Sequence, residues 1–251
     1  MSPPVLRLLN PYDGSLLAER PYTSPAEVEL RLERARATQR RWRRMPYEQR
    51  HDRVVRGMDF LREHSAEIAA DVTRQVGKPL SQARGEVAGM LSRAQHLLDI
   101  GERSLAPEVL PGQDGFVLRI EHVPHGVVLE LAAWNYPLLI PINVIVPALL
   151  AGNVVLLKHS ANAVLCGEWF ERAFDDPDLP GLLSHLILDH ESLAGWIRDP
   201  RIDHVVFTGS VEGGRGGPAG LSQKRRVRTG DLAVGHDVGQ RRDPELVGGG
   251  P

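Results

Sequence analysis

The pattern of apolar and polar positions divides the chain into a helical first half and a strand–helix second half. Residues 1–22 carry short extended pieces broken by the turn cluster Asn10-Pro11-Tyr12-Asp13-Gly14. Ser24-Pro25-Ala26-Glu27 then reads as a helix start: serine caps, proline takes the first helical position and glutamate stands at N3. Val28, Leu32, Ala35 and Trp42 recur near helical spacing, so the helix is predicted to run to about residue 44, before Pro46. Further helices are predicted over about 47–64, 65–76 and 80–98, with Gly77-Lys78-Pro79 as the stop between the last two.

After residue 115 the pattern changes. Residues 116–123 alternate as a two-stranded or edge element, and 126–131 form a nearly continuous aliphatic strand. A helix over 139–150, a strand over 154–158 and a helix over 161–174 follow. A strand over 183–188, a short helix over 192–197 and a last strand over 204–207 complete the series. Apolar strands alternating with helices are the mark of a parallel sheet covered on both faces, which binds ligands at the carboxyl ends of its strands.

One stretch tests that assignment. Residues 131–157 carry no charge, and 27 residues are enough to cross a bilayer. Pro137, Pro141 and Pro147 would leave backbone groups unpaired in hydrocarbon, so the strand–loop–helix–turn–strand parse is preferred and no membrane partner is expected.

Composition narrows the picture further. A length of 251 residues gives one large domain or two small ones. Thirty basic side chains against 32 acidic ones leave no global pull toward nucleic acid. The arginines at 31, 34, 36, 40, 41, 43 and 44 read as a solvated helix face offset by Glu27, Glu29, Glu33 and Glu48. A single cysteine excludes a disulfide framework and a cysteine-rich zinc site, and the histidines show no metal spacing. The first residues hold no apolar signal core, so a cytoplasmic location is expected.

Three strand ends carry useful polar residues: Trp134-Asn135-Tyr136-Pro137, Lys158-His159-Ser160, and Thr208-Gly209-Ser210 followed by Gly213-Gly214. Amides and a hydroxyl in the last turn suit phosphate oxygens, though many turns contain Gly-Ser. In this order and spacing, with Gly126-Val127-Val128 and with Pro147-Ala148-Leu149-Leu150-Ala151-Gly152-Asn153, the chain resembles the amino-terminal half of an aldehyde dehydrogenase. The likeness runs from about residue 6 to 214, and Gly77-Lys78-Pro79 with Glu86 fits the amino-terminal helices.

The resemblance implies an α/β fold, a Rossmann-type parallel sheet with amino-terminal helices, truncated before the catalytic domain. Residues 1–114 would be the helical part and 115–125 a partial oligomerisation hairpin whose partner strand is absent. Residues 126–214 would bind NAD or NADP, and 215–251 would be a tail foreign to the family. By the same resemblance Asn135 matches the amide that stabilises the oxyanion of an aldehyde adduct, and Trp134 borders the nicotinamide. Lys158 and Ser160 match the pair near the adenine ribose. Ser210 matches a pyrophosphate contact, and Gly209 and Gly214 let the backbone approach. Ala161 stands where the family often carries a ribose-binding glutamate, which leaves NADP open beside NAD.

The implied reaction is oxidation of a small-molecule aldehyde to an acid by a homo-oligomer, using a cysteine nucleophile and a glutamate base. Both belong after the Phe207-Thr208-Gly209-Ser210 turn, yet residues 229–235 show no glutamate where a Glu-Leu-Gly-Gly-Lys motif is due. Cys166 lies in an apolar helical run and reads as a buried core cysteine. The chain is therefore expected to be inactive alone. A non-catalytic nucleotide-binding or assembly module and an acyl-phosphate reductase relative are the alternatives, and the Trp134–Pro137 block argues against the latter. Nine of the 37 residues after Gly214 are glycine, seven are Lys or Arg and none is aromatic, so a frameshift near codon 215 is expected.

Overall fold

A computed structural model describes residues 4–111, 117–211 and 214. The chain opens on an antiparallel hairpin, β1 (Val5–Leu9) with β2 (Leu16–Pro21). Its turn is held by side chains: the Tyr12 N–H donates to Asn10 Oδ1 at 3.0 Å and the Ser15 N–H to Asp13 Oδ1 at 2.9 Å.

Four helices follow, α1 (Pro25–Trp42), α2 (Tyr47–Glu63), α3 (Ser65–Val76) and α4 (Leu80–Leu105). Ser24 Oγ accepts the Glu27 N–H at 3.2 Å, the cap that the sequence announces. Gly77 ends α3 at φ 72°, the left-handed conformation that favours glycine. Helix α4 runs seven residues beyond its predicted end at 98. Gly101 is a close contact within it: a Cβ there would lie 2.5 Å from Tyr47 Oη and 2.9 Å from Leu150 Cδ1.

Arg34, Arg40, Arg41, Arg43 and Arg44 are exposed, as a solvated face requires, but Arg31 and Arg36 depart from it. Arg31 joins Glu27 at 2.8 Å and Glu171 at 2.5 Å, and Arg36 donates to the Arg201 carbonyl at 2.9 Å. These cations tie α1 to the second half of the chain.

A second expectation is corrected. Strand β4 (Leu118–Ile120) has its partner in the chain, pairing antiparallel with β3 (Glu108–Leu110) just upstream.

The sheet is parallel, in the order β7 (Leu183–His185), β6 (Val154–His159), β5 (Val127–Ala132), β8 (His204–Phe207). Helices α5 (Leu139–Leu150) and α6 (Val164–Ala173) make the first two crossovers, and α7 (His190–Arg198) belongs to the third. Because parallel crossovers are right-handed, this order places α5 and α6 on one face and α7 on the other. Every residue of β5 is buried, as is all of β6 except Lys158. Gly126 turns the chain into β5 at φ 133°, where a Cβ would strike Asp203 Oδ2 at 2.0 Å.

The uncharged stretch resolves into β5, a loop, α5 and β6. Pro141 sits in the first turn of α5, where no intrahelical acceptor is lost, and Pro147 lies inside the helix. No helix among the described residues is long and apolar enough to cross a membrane.

Candidate functional site at the carboxyl edge of the sheet

All four strands end on the same edge, and register fixes which ends are neighbours. Leu131 pairs with Lys158 on one side and Phe207 on the other. The Ser160 N–H donates to the Ala132 carbonyl at 3.1 Å, and the Thr208 N–H to the Leu131 carbonyl at 3.0 Å. The structure therefore brings the Trp134–Asn135 loop, Lys158 with Ser160, and the Gly209–Ser210 turn to one edge of the sheet.

In the first loop Asn135 Oδ1 accepts the Tyr136 N–H at 3.1 Å. That bond commits the amide oxygen to the loop and leaves Nδ2 as the outward donor, with no acceptor among the described residues. Trp134 and Tyr136 are both about half exposed beside it. From the adjoining strand, His159 Nε2 contacts the Pro137 carbonyl at 2.8 Å while its Nδ1 accepts the Ser160 N–H at 2.9 Å. Those partners fix the proton on Nε2. Burial pushes the imidazole down to about 4, with the nearby Lys158 ammonium acting in the same direction, so the ring is neutral at pH 7.

Lys158 is partly buried at the end of β6, and burial lowers its ammonium below the usual lysine range, opposed only by Asp189. No carboxylate comes within ion-pair distance of it among the described residues. Asp189 itself caps α7, accepting the Ser192 N–H at 2.7 Å. A half-desolvated cation beside the Ser160 hydroxyl is a donor set for hydroxyl and phosphate oxygens.

The third segment winds at once into a helical turn, for the Gly214 N–H donates to the Ser210 carbonyl at 3.1 Å. A Cβ at Gly209 would lie 2.5 Å from the Phe207 ring, so no larger residue fits there. At Gly214 a Cβ would make ordinary contact with the same ring at 3.5 Å. Gly213 lies outside the described residues, as does the tail from 215 onward.

Cys166 is remote from this edge in character. It is fully buried in α6, its Sγ accepts from Gln75 Nε2 at 3.2 Å, and burial raises the thiol far above the range in which thiolate forms.

The sequence signature of the aldehyde dehydrogenase family matches residues 2–216. The chain belongs to that family. An NAD(P)+ succinate semialdehyde dehydrogenase of Escherichia coli K12 is 34% identical over 224 residues, spanning 87% of this chain and 48% of the relative. An NADP+ succinate-semialdehyde dehydrogenase of Deinococcus radiodurans is 32% identical, spanning 82% and 43%. The crystal structure of an NADP-dependent glyceraldehyde-3-phosphate dehydrogenase from Bacillus halodurans C-125, complexed with NADP, superposes with a TM-score of 0.78. It is 26% identical and covers 89% of this chain and 48% of that one. The chain thus spans about half the length of these aldehyde dehydrogenase relatives, and the match lies in their amino-terminal half.

Residue patterns did not single out three groups that hold the aldehyde dehydrogenase loop in place. His159 looked like one histidine among ten, and its role depends on a strand register. Lys78 and Glu86 were visible as matching residues, but their contact with residues 135–139 crosses more than fifty positions.

Proposed function

We propose that this chain is the cofactor-binding half of an NAD(P)-dependent, aldehyde-oxidising dehydrogenase. Residues 126–214 would form the nucleotide-binding part and 1–114 its helical support. The observation that carries the reading is the convergence of Lys158, Ser160 and the Asn135 loop on one sheet edge, with no counter-carboxylate among the described residues in ion-pair reach of Lys158. Lys158 and Ser160 would hold the adenosine ribose, and the Gly209–Ser210 amides the pyrophosphate. When bound, NAD(P) supplies a hydride acceptor. The outward Nδ2 of Asn135 donates to oxygen charge that develops on an aldehyde carbon, an interaction worth roughly 3–4 kcal/mol of barrier in preorganised sites.

Isothermal titration tests the binding half of this reading. NADP, NAD and AMP at millimolar concentration are each expected to release or absorb heat, and Lys158→Ala is expected to weaken NADP at least about tenfold, the worth of one charge-assisted contact. No heat with any of the three would overturn it.

The 251 residues alone are proposed not to turn aldehyde over, because their one thiol is the buried, protonated Cys166. Aldehyde-dependent reduction of NAD(P) should be absent at any pH from 6 to 9, and Cys166→Ser should change nothing. Turnover abolished by that substitution would sink this view. We further infer a frameshift near codon 215, supported by the family match ending at residue 216 and by the glycine- and arginine-rich sequence that follows. Translating the other two frames downstream tests it: a Glu-Leu-Gly-Gly-Lys segment and a later cysteine are expected.

A further inference from the structure

The loop that presents Asn135 ends in a helix with no cap of its own. Leu138 precedes α5 and offers no side-chain acceptor, so the first amides of the helix need a partner from elsewhere. Glu86 of α4 supplies it. Its Oε1 accepts the Leu138 N–H at 2.9 Å and the Leu139 N–H at 3.3 Å. A carboxylate here also meets the positive end of the helix dipole. Its other oxygen, Oε2, pairs with Lys78 Nζ. Lys78 in turn donates to the Asn135 carbonyl at 3.1 Å and lies 4.4 Å from the centroid of the Tyr136 ring.

The pair is nearly out of solvent, with side-chain exposures of 15% for Lys78 and 2% for Glu86. Desolvating two charges is costly, and an apolar pair of similar volume commonly serves stability as well or better. What an apolar pair cannot do is hold two helix amides, a carbonyl and an aromatic face at once. Gly77 in its left-handed conformation and Pro79 on the other side fix the direction of the lysine. On the opposite flank His159 holds the Pro137 carbonyl. The loop is thereby gripped at residues 135, 137 and 138, which leaves the Asn135 amide little freedom.

We propose that Lys78 and Glu86 are positioning residues, a buried clamp that sets where the Asn135 side chain stands. The catalytic meaning of that placement rests on the function proposed above, whereas the clamp itself is a statement about the loop and is tested without cofactor.

Hydrogen exchange resolved by mass spectrometry on the full chain reads it directly. Glu86→Gln is expected to speed exchange of the Leu138 and Leu139 amides about tenfold, the scale of one charge-assisted hydrogen bond. Lys78→Met is expected to do the same for the Tyr136 amide, whose acceptor is the Asn135 side chain, and Lys78→Arg should restore most of the protection. Peptides from α1 and β6 should exchange as in the wild type. Unchanged exchange in the loop overturns the proposal, as does a rise spread evenly over the chain or loss of folding in Lys78→Met, since either makes the pair a general support. NADP titration of the wild type separates the two claims. A loop that loosens in a chain that binds no NADP keeps the clamp and removes the cofactor reading. Heat with NADP and an unmoved loop does the reverse.

Discussion

Between pH 6.5 and pH 4.5 the chain is expected to lose stability as it is acidified, by at least about 1.4 kcal/mol per pH unit, the value for one net proton. Three buried groups set the sign. Burial pushes His159 down to about 4 and His185 down to about 3, in the latter case with His159, Arg31 and Lys158 adding to the effect. His185 Nε2 has no hydrogen-bonding partner among the described residues and faces Gly167, where a Cβ would lie 2.3 Å away. Below pH 6.5 the unfolded chain therefore takes up two protons that the folded chain refuses, and stability falls. Glu130 acts in the opposite sense. Burial raises its carboxyl well above 4.5, so the folded form holds a proton that the unfolded form has lost, and acidification to 4.5 relieves that cost. Two rings against at most one carboxyl leave at least one net proton. Below pH 4.5 the carboxyl no longer opposes, and the loss steepens to about 2.7 kcal/mol per unit until His159 protonates near 4. Asp199, held low chiefly by its hydrogen bond from Arg201, adds a loss of the same sign there. Urea unfolding at pH 7.5, 6, 5 and 4.2 measures the slope. His185→Leu should make it shallower by about 1.4 kcal/mol per unit between 6.5 and 4.5, because one ring's proton is removed. A flat wild-type profile, or an unchanged slope in that variant, would refute the assignment.

The succession of elements was legible because its signals are local. Ser24-Pro25 announces α1, Gly77 closes α3, and the apolar runs of β5 and β6 can sit only in a sheet covered on both faces. The strand ends were legible as candidates for the same reason, since a parallel sheet puts them on one edge whatever its order. What escaped was long-range. The last turns of α4, past 98, pack through Gly101 against Tyr47 and Leu150, partners far off in sequence. Arg31 and Arg36 read as solvent-facing until Glu171 and the Arg201 carbonyl appear. Strand β4 seemed to lack a partner because β3 is only three residues long, too short for an alternation to register. Glu86 and His159 were missed as functional residues because what matters is the loop atoms they hold.

Glu130 is the strongest local conflict in the fold, and replacing it is expected to stabilise the protein. It sits in mid-β5 between Leu157 and Val206, 1% exposed, with neither carboxyl oxygen hydrogen-bonded among the described residues. An unpaired polar group in such a place costs about 1–3 kcal/mol even when neutral. A further cost arises above the ordinary carboxylate range, because burial disfavours the ionised carboxyl in the folded chain and not in the unfolded one. Glu130→Leu removes both, and at least about 1–3 kcal/mol of added stability at pH 7 is expected, less whatever strain the branched side chain introduces. Glu130→Gln removes only the second, because an amide in the same place is still unpaired, so its gain should be smaller. The two variants also differ from the wild type in pH dependence. Each should acquire a steeper acid limb, near 2.7 kcal/mol per unit below pH 6.5, because the opposing carboxyl is gone while both rings remain. Urea melts of the three proteins at pH 7.5 and pH 5 give all of these quantities. If Glu130→Leu were neutral or destabilising at pH 7.5, the carboxyl would have to be paired in solution, and the proton accounting for His159 and His185 would have to be redone with it ionised.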